Sequence, residues 1–358
     1  MKEIDRLREK IEEMDFLIVE LMIRRNDAAK EIGILKNELG IPLRNMEVEK
    51  KVIERYRMMA ENSSLPQDVS ESICRILIES SVELQSSLQT KRCEKKVTII
   101  GGTGGMGKWM QRYFRDMGAE VNIVSRSVGR MEDAKDSDIV IISVPISTVG
   151  TVLKEADSVC KEDALIFDIS SVKSSFSEDL KRMAERRKVC SVHHMFGPSA
   201  ISMLGRNVVV CDCGCREAVD EAAELFDSEG SNIIFTSVER HDELMAYVLA
   251  FAHASNIVFF TALRESGIPF DELKGIASTT FRKCLSTCIP VSEENAPLYH
   301  EIQRLNDNAE IMWDVFEKAV REVKEASLSY DPERFIEIMD KGKEYLLNSA
   351  ENSILGKK

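Results

Sequence analysis

The chain is expected to fold as three parts in series: an all-α N-terminal segment, a central α/β segment around a mainly parallel sheet, and an all-α C-terminal segment. Three observations carry this expectation. Ile4, Leu7, Ile11, Met14, Ile18 and Leu21 recur at alternating gaps of three and four, the spacing of one face of a helix. The period changes at "KVTIIGGTGGMGKW", residues 96–109, where a β-rich run enters glycines and then a helical pattern. From about residue 241 the pattern is helical again, and "DELMAYVLAFAHASNIVFFTAL", residues 242–263, is nearly all apolar.

Composition bounds the function. At 358 residues the chain is long enough for two or three domains with their own cores. Its net charge of −13 argues against nucleic acid or an anionic membrane as partner. An acidic protein that binds a small anion must gather Arg and Lys locally. The opening "MKEIDRLREKIEE" is too charged for a signal peptide, and no apolar run approaches the ~20 residues of a membrane span; a cytoplasmic protein is expected. Nine cysteines are scattered from Cys74 to Cys288, as suits reduced, buried thiols. "CDCGC", residues 211–215, lacks the two-residue gap of a zinc knuckle. It reads as a strand end and turn, and no metal is expected.

In the first segment, residues 1–90, Ile32, Leu35 and Leu39 continue the spacing of a long helix until "GIP" at 40–42 breaks it. A second helix is expected over about 45–60, a turn at "ENSSLPQD", and a third helix to about 88. One long helix and two shorter ones cannot close a core alone, so a homodimer that intertwines its long helices is expected. "KRCEKK", residues 91–96, is a charged linker.

In the central segment, 95–240, "EVNIVSR", "DIVIISVP" and "ALIFDISS" are further short strands at α/β spacing. Gly102-Thr-Gly104-Gly-Met-Gly107 fits G-x-G-x-x-G. It follows a strand and opens a helix, the context in which glycines let backbone N–H groups approach a pyrophosphate. A dinucleotide-binding, Rossmann-type domain follows. The second strand ends "IVSRS". A site for NAD usually carries Asp or Glu there; this chain has Ser125 and Arg126, with Ser127 and Arg130 close by. A guanidinium suits a 2′-phosphate, so NADP is favoured, with NAD as the alternative. Ser143 and Pro145 end what is counted as the fourth strand, and Ser170-Ser171-Val172-Lys173 the fifth. Both lie at the carboxyl edge, where open α/β sheets bind ligands. "SVHHMFGPSA", residues 191–200, sets His193 beside His194; composition alone does not say which does chemistry. The helical remainder, 241–358, is expected to be buried on most sides of its apolar helix and to line a dimer core.

The residues now carry a resemblance. "IIGGTGGMGKW", "IISVPI", "DISSVK" and "HHMFGPS", in that order, resemble prephenate dehydrogenase. "LREKIEEMD", "RRNDAAKEIGILK", "GIPLRN" and "IESSVELQ" resemble an all-helical chorismate mutase of the AroQ type. The whole is similar to the bifunctional chorismate mutase–prephenate dehydrogenases of tyrosine biosynthesis. The resemblance implies an all-α mutase domain, a Rossmann domain and an all-α dimerisation domain, acting on chorismate and prephenate with a nicotinamide cofactor.

It also implies roles. The family motif His-Pro-Met-Phe-Gly-Pro maps its catalytic histidine onto His193 and its proline onto His194, which is then incidental. Ser171 would orient the substrate hydroxyl, Lys173 would supply positive charge, and Arg282, in "STTFRK", would hold a carboxylate. In the mutase, Arg8, Arg25, Lys36, Glu49, Ser81 and Gln85 occupy site positions, Arg25 on a carboxylate and Lys36 and Gln85 at the ether oxygen. Helix geometry separates two of these. Arg25 and Lys36 stand about 16 Å apart on one face, whereas Arg8 and Arg25 stand roughly 25 Å apart and about 100° around the axis. Arg8 is therefore either a surface residue or part of the partner's site, as in the family. Val48 replaces a family arginine, and losing a cation would weaken dianion binding by ~1–3 kcal/mol; Arg44 is the candidate replacement. Three alternatives stay open: a dehydrogenase whose helical N-terminus only binds or dimerises, an arogenate dehydrogenase, and an unrelated β-hydroxyacid dehydrogenase.

Overall fold

The computed structural model describes residues 2–39, 41, 45–86, 93–200, 202–203, 205–227 and 231–355. The chain opens with the expected three helices: α1 (Lys2–Glu38), α2 (Met46–Ala60) and α3 (Gln67–Ser86). Gly40, Pro42 and Arg44 lie outside the described residues. Asn45 caps α2, its side chain accepting from Glu47 N at 3.1 Å and Val48 N at 3.2 Å. Cys74, Ile78 and Val82 of α3 bury against Val52, Ile53 and Tyr56 of α2. Helix α1 meets α3 through Arg25, Asn26, Gly33 and Lys36. Before that point every described residue from Glu3 to Arg24 is exposed. The apolar stripe from Ile4 to Leu21 is thus a helix face with no covering element among the described residues.

The α/β part runs β1 (Lys96–Ile100), α4 (Gly105–Asp116), β2 (Glu120–Val124), β3 (Ile139–Ile142), α5 (Ile146–Val159), β4 (Leu165–Asp168), α6 (Ser177–Ala184), β5 (Val189–His194), β6 (Asn207–Asp212), α7 (Arg216–Asp227) and β7 (Asn232–Ser237). The strands form one sheet in the order β2-β1-β3-β4-β5-β6-β7. All pairings are parallel except β5 with β6. Strands β3 and β4 are buried at every residue, as expected of parallel strands covered on both faces. Ser143–Pro145 follows the third strand and Ser170–Lys173 the fourth, not the fourth and fifth. Between β2 and β3 the chain makes only a 3₁₀ turn, Met131–Ala134, so no further strand precedes them. Val97, Ile99, Ile139, Ile141, Leu165, Phe167, Cys190 and Val192 share a core with Trp109, Met110, Tyr113 and Phe114 of α4 and with Phe226 of α7.

The last part is helical: α8 (Val238–Met245), a π-helical turn (Ala246–Phe251), α9 (Ala252–Glu265), α10 (Phe270–Gly275), α11 (Thr279–Glu293), α12 (Ala296–Arg304), α13 (Ala309–Ser327) and α14 (Glu333–Leu355). By contacts the chain divides into two compact units, 1–171 with 176–238, and 172–175 with 239–358. The segment following β4 therefore belongs with the C-terminal helices. Two expectations need correction here. The stretch Val238–Glu265 is long and apolar enough to cross a membrane by length and composition. Only 22% of its most apolar window is buried, so among the described residues of one chain it is not covered on most sides.

Candidate functional sites

The glycine turn shows a division of labour that the motif does not reveal. A cavity of about 580 Å³ at the carboxyl edge is lined by Gly101, Thr103, Gly104, Ser125, Arg126, Ser127, Arg130, Ser143, Pro145 and Thr148, among others. Of the predicted cofactor residues, Gly104, Arg126, Ser143 and Pro145 line it; Gly102 and Gly107 do not. Those two are buried packing positions. A Cβ on Gly102 would meet Ile123 Cγ2 at 2.5 Å, and one on Gly107 would meet Gly101 O at 2.5 Å and Gly102 Cα at 2.7 Å. They let α4 lie against β1, so the helix N-terminus at Gly104 faces the cavity. Gly101, which the motif template omits, has φ +85°, and a Cβ there would meet Ser143 O. A glycine-rich turn and a helix N-terminus fit the pyrophosphate of a dinucleotide, and Arg126 and Arg130 stand in the same cavity. The Ser125 hydroxyl, where a ribose-binding carboxylate would stand, accepts from Ser127 N at 3.3 Å and Val128 N at 3.1 Å.

Strand alternation separates the two histidines. Cys190 and Val192 face the α4/α7 core, so His194 faces it too and His193 points to the opposite side of the sheet. His194 packs among Trp109, Phe196 and Phe226 at ring distances of 6.1, 5.4 and 4.8 Å. It is a core residue. Both histidines are 4% exposed. The loop after them is tied to α4: Trp109 Nε1 donates to Ala200 O at 2.7 Å, and a Cβ on Gly105 would touch Pro198 at 3.1 Å. The helix that opens at the glycine turn therefore also holds the loop that follows His193.

Helices α1, α2 and α3 enclose a second cavity, of about 400 Å³. Arg25, Ala29, Ile32 and Lys36 line it from one face of α1; Asn45, Val48, Glu49 and Val52 from α2; Ile78, Ser81, Val82 and Gln85 from α3. Each set keeps the spacing of three and four that puts residues on one helix face. Five of the six predicted residues, Arg25, Lys36, Glu49, Ser81 and Gln85, are thus brought together. Arg25 donates to Leu77 O at 2.6 Å and to the Ser81 hydroxyl, and Lys36 Nζ stands 3.4 Å from Gln85 Oε1. Gly33 makes this possible, since a Cβ there would meet Gln85 Cγ at 2.9 Å. Arg8 is not in the cavity; it is exposed and pairs with Asp5 at 3.5 Å. Val48 lines the wall where an arginine was looked for.

In the C-terminal unit Lys173 is fully buried. Its backbone N–H donates to Asp242, a carboxylate that the sequence reading did not single out, at 3.0 and 2.8 Å. His241, also fully buried, puts Nδ1 2.7 Å from Asp242 Oδ1. Burial pushes the Asp242 carboxyl up, but hydrogen bonds from His241 and Ser174 outweigh it and hold the group below its ordinary value. Arg282 lies in the first turn of α11, with Nε 3.5 Å from Ala277 O. His253 stacks on Tyr299 at 4.0 Å, and burial lowers its pKa. Among the described residues no group of three His, Cys, Asp or Glu side chains is placed to hold a metal.

Comparison with known proteins gives three family matches. Residues 7–86 match chorismate mutase type II, residues 89–235 the nucleotide-binding domain of prephenate dehydrogenase, and residues 237–341 its dimerization domain. A chorismate mutase of Methanocaldococcus jannaschii is 33% identical over 98 residues, 27% of this chain and 99% of that protein. A T-protein of Haemophilus influenzae is 27% identical over 309 residues, 84% of this chain and 81% of that protein. A probable arogenate/prephenate dehydrogenase of M. jannaschii is 28% identical over 280 residues, covering 73% of this chain and 63%, less than two thirds, of the relative. A crystal structure of prephenate dehydrogenase from A. aeolicus, in complex with hydroxyphenyl propionate and NAD+, shares the fold, with a TM-score of 0.59 at 18% identity over 72% of this chain and 98% of that one.

Proposed function

We propose, for a chain that belongs to the type II chorismate mutase family in its first helices and to the prephenate dehydrogenase family in the rest, that it carries out both steps from chorismate to 4-hydroxyphenylpyruvate. The observation that carries this reading is one cavity gathering Arg25, Lys36, Glu49, Ser81 and Gln85 from three helices, in the same chain as the dinucleotide turn. Rearrangement of chorismate breaks the ether C–O bond and forms a C–C bond, with no nucleophile and no net proton transfer. The site needs cations that hold a compact dicarboxylate and donors at the ether oxygen. Arg25 holds a carboxylate, Lys36 and Gln85 address the ether oxygen, and Glu49 and Ser81 contact the hydroxyl region.

In the second step a bound nicotinamide would supply the hydride acceptor for the ring carbon that bears the hydroxyl. His193, neutral, takes the hydroxyl proton as the carbonyl forms. The ring carboxylate leaves as CO₂, its bonding electrons complete the aromatic ring, and the phenol oxygen regains a proton. Ser171 orients the hydroxyl, Lys173 supplies positive charge, and Arg282 takes a carboxylate through its fork. Gly104, Ser143 and Pro145 hold the cofactor, with Gly102 and Gly107 shaping the turn. Arg126, assisted by Arg130, favours NADP through its 2′-phosphate. The working form is a homodimer in which the exposed stripe of α1 is covered by its copy and Arg8 serves the partner's cavity.

The test is the purified protein given chorismate alone, with NADP in one cuvette and NAD in another, while reduced nicotinamide is followed by absorbance. Reduction requires both sites and reports the preferred cofactor. Signal only after prephenate is added would favour the second reading, a dehydrogenase with a silent helical module, for which Val48 in the cavity wall is the specific observation. No oxidation of prephenate, but oxidation of arogenate, would move the substrate to the amino analogue. Sedimentation equilibrium at twice the protomer mass is expected.

A further inference from the structure

Residues 172–175 leave the sheet and join the C-terminal helices, and one carboxylate holds them there. Asp242 is 2% exposed. Its two oxygens accept from Lys173 N at 3.0 and 2.8 Å, from Ser174 N at 2.6 Å, from Ser174 Oγ at 2.5 Å and from His241 Nδ1 at 2.7 Å. The arrangement is braced a second time. Asn306 Nδ2 donates to the Asp242 carbonyl at 2.8 Å, and Asp307 N to Ser174 Oγ at 3.3 Å. A buried carboxylate is tolerated only when donors surround it, and here most of the donors belong to the turn that follows β4. An ionised carboxylate only accepts, so the His241 proton sits on Nδ1. The helix that bears the pair carries a π-helical turn immediately after it, whose Ala250 carbonyl is taken by Gln303 Nε2 at 2.8 Å. Such irregularities occur frequently at functional sites.

We propose that Asp242 is a positioning residue for the dehydrogenase reaction: it clamps the Lys173–Ser174 backbone and fixes the His241 tautomer, and so holds the Ser171–Lys173 turn in the geometry that oxidation requires. The inference rests on the reading that Ser171 and Lys173 serve the dehydrogenase. The hydrogen bonds that hold the Asp242 carboxyl below its ordinary value in spite of burial come from the same turn and ring.

The experiment uses the full chain with Asp242→Asn, Asp242→Glu and Ser174→Ala. Mutase turnover serves as a folding control within the same molecule. Asp242→Asn, which puts an N–H₂ group where only acceptors fit, is expected to lower the kcat for prephenate oxidation by roughly 100-fold, the scale of a misplaced reacting group, with mutase turnover unchanged. Asp242→Glu is expected to restore part of the rate. The ¹⁵N resonances of His241 are expected to move from the Nδ1–H pattern toward tautomer exchange in Asp242→Asn. Unchanged oxidation kinetics in Asp242→Asn would overturn the proposal. If that variant loses both activities through misfolding, Ser174→Ala decides: a lower kcat supports the clamp, and a wild-type rate overturns it. A wild-type protein that does not oxidise prephenate would overturn the functional reading instead, and the His241 resonances would still report whether the clamp exists.

Discussion

Exchanging each of the adjacent histidines for asparagine separates chemistry from packing at one strand end. His194 makes three aromatic contacts, with Trp109, Phe196 and Phe226, at 6.1, 5.4 and 4.8 Å. At about 0.5–1.5 kcal/mol for each ring pair beyond burial, His194→Asn is expected to cost about 1.5–4.5 kcal/mol. For a unit of this size that lowers the melting temperature by roughly 3–18 °C. Asparagine has no ring to make the tilted and edge-on contacts, and its amide enters a wall of aromatic carbon, so repacking does not recover the loss. His193 faces away from that core, so His193→Asn is expected to abolish prephenate oxidation with a smaller change in melting. Scanning calorimetry and steady-state oxidation kinetics, taken well below either transition with mutase turnover as control, read the two effects. Loss of oxidation in His194→Asn at an unchanged melting temperature would refute the alternation argument, as would a catalytically competent His193→Asn.

Other outcomes follow from the same geometry. Gly107→Ala puts a Cβ 2.5 Å from a backbone oxygen, a collision that no side-chain rotation relieves; overpacking of about 1–3 kcal/mol and a raised KM for the cofactor are expected, measured by thermal melting and initial rates. Arg126→Ala is expected to raise the KM for NADP by roughly tenfold or more, as for a lost hydrogen bond to a charged group, and to leave NAD nearly unaffected; equal shifts would remove the 2′-phosphate role. Val48→Arg is expected to lower the KM for chorismate if the wall lacks a cation, read by chorismate disappearance. Asp242 has a depressed folded-state pKa, so its contribution to stability is complete above the ordinary carboxylate range and is lost as pH falls through the lowered folded value. Acid titration followed by circular dichroism is expected to show a steeper loss in wild type than in Asp242→Asn.

Much of the architecture could be read directly from the chain. The gaps of three and four that start at Ile4 mark α1, and the step from "KVTII" into glycines marks β1 and α4, because these patterns are set by residues a few positions apart. The lining of the cavity among α1, α2 and α3 was legible in part for a related reason: Arg25 and Lys36 share a face by helix arithmetic, and the cavity keeps them together. The motif does not show that Gly102 and Gly107 are packing positions, because a motif reports where a Cβ is forbidden and not what forbids it. Asp242 was passed over because its donors at 173 and 174 lie far away in sequence.

By itself, the sequence determined the order of three parts, the helical periods, the glycine turn and the two sets of family motifs, all signals carried by neighbouring residues. Tertiary structure alone decided which histidine enters the aromatic core and that Lys173 is buried under a carboxylate. Each of those outcomes depends on which distant segment packs against the residue, and burial and hydrogen bonding between distant segments leave no local pattern to read.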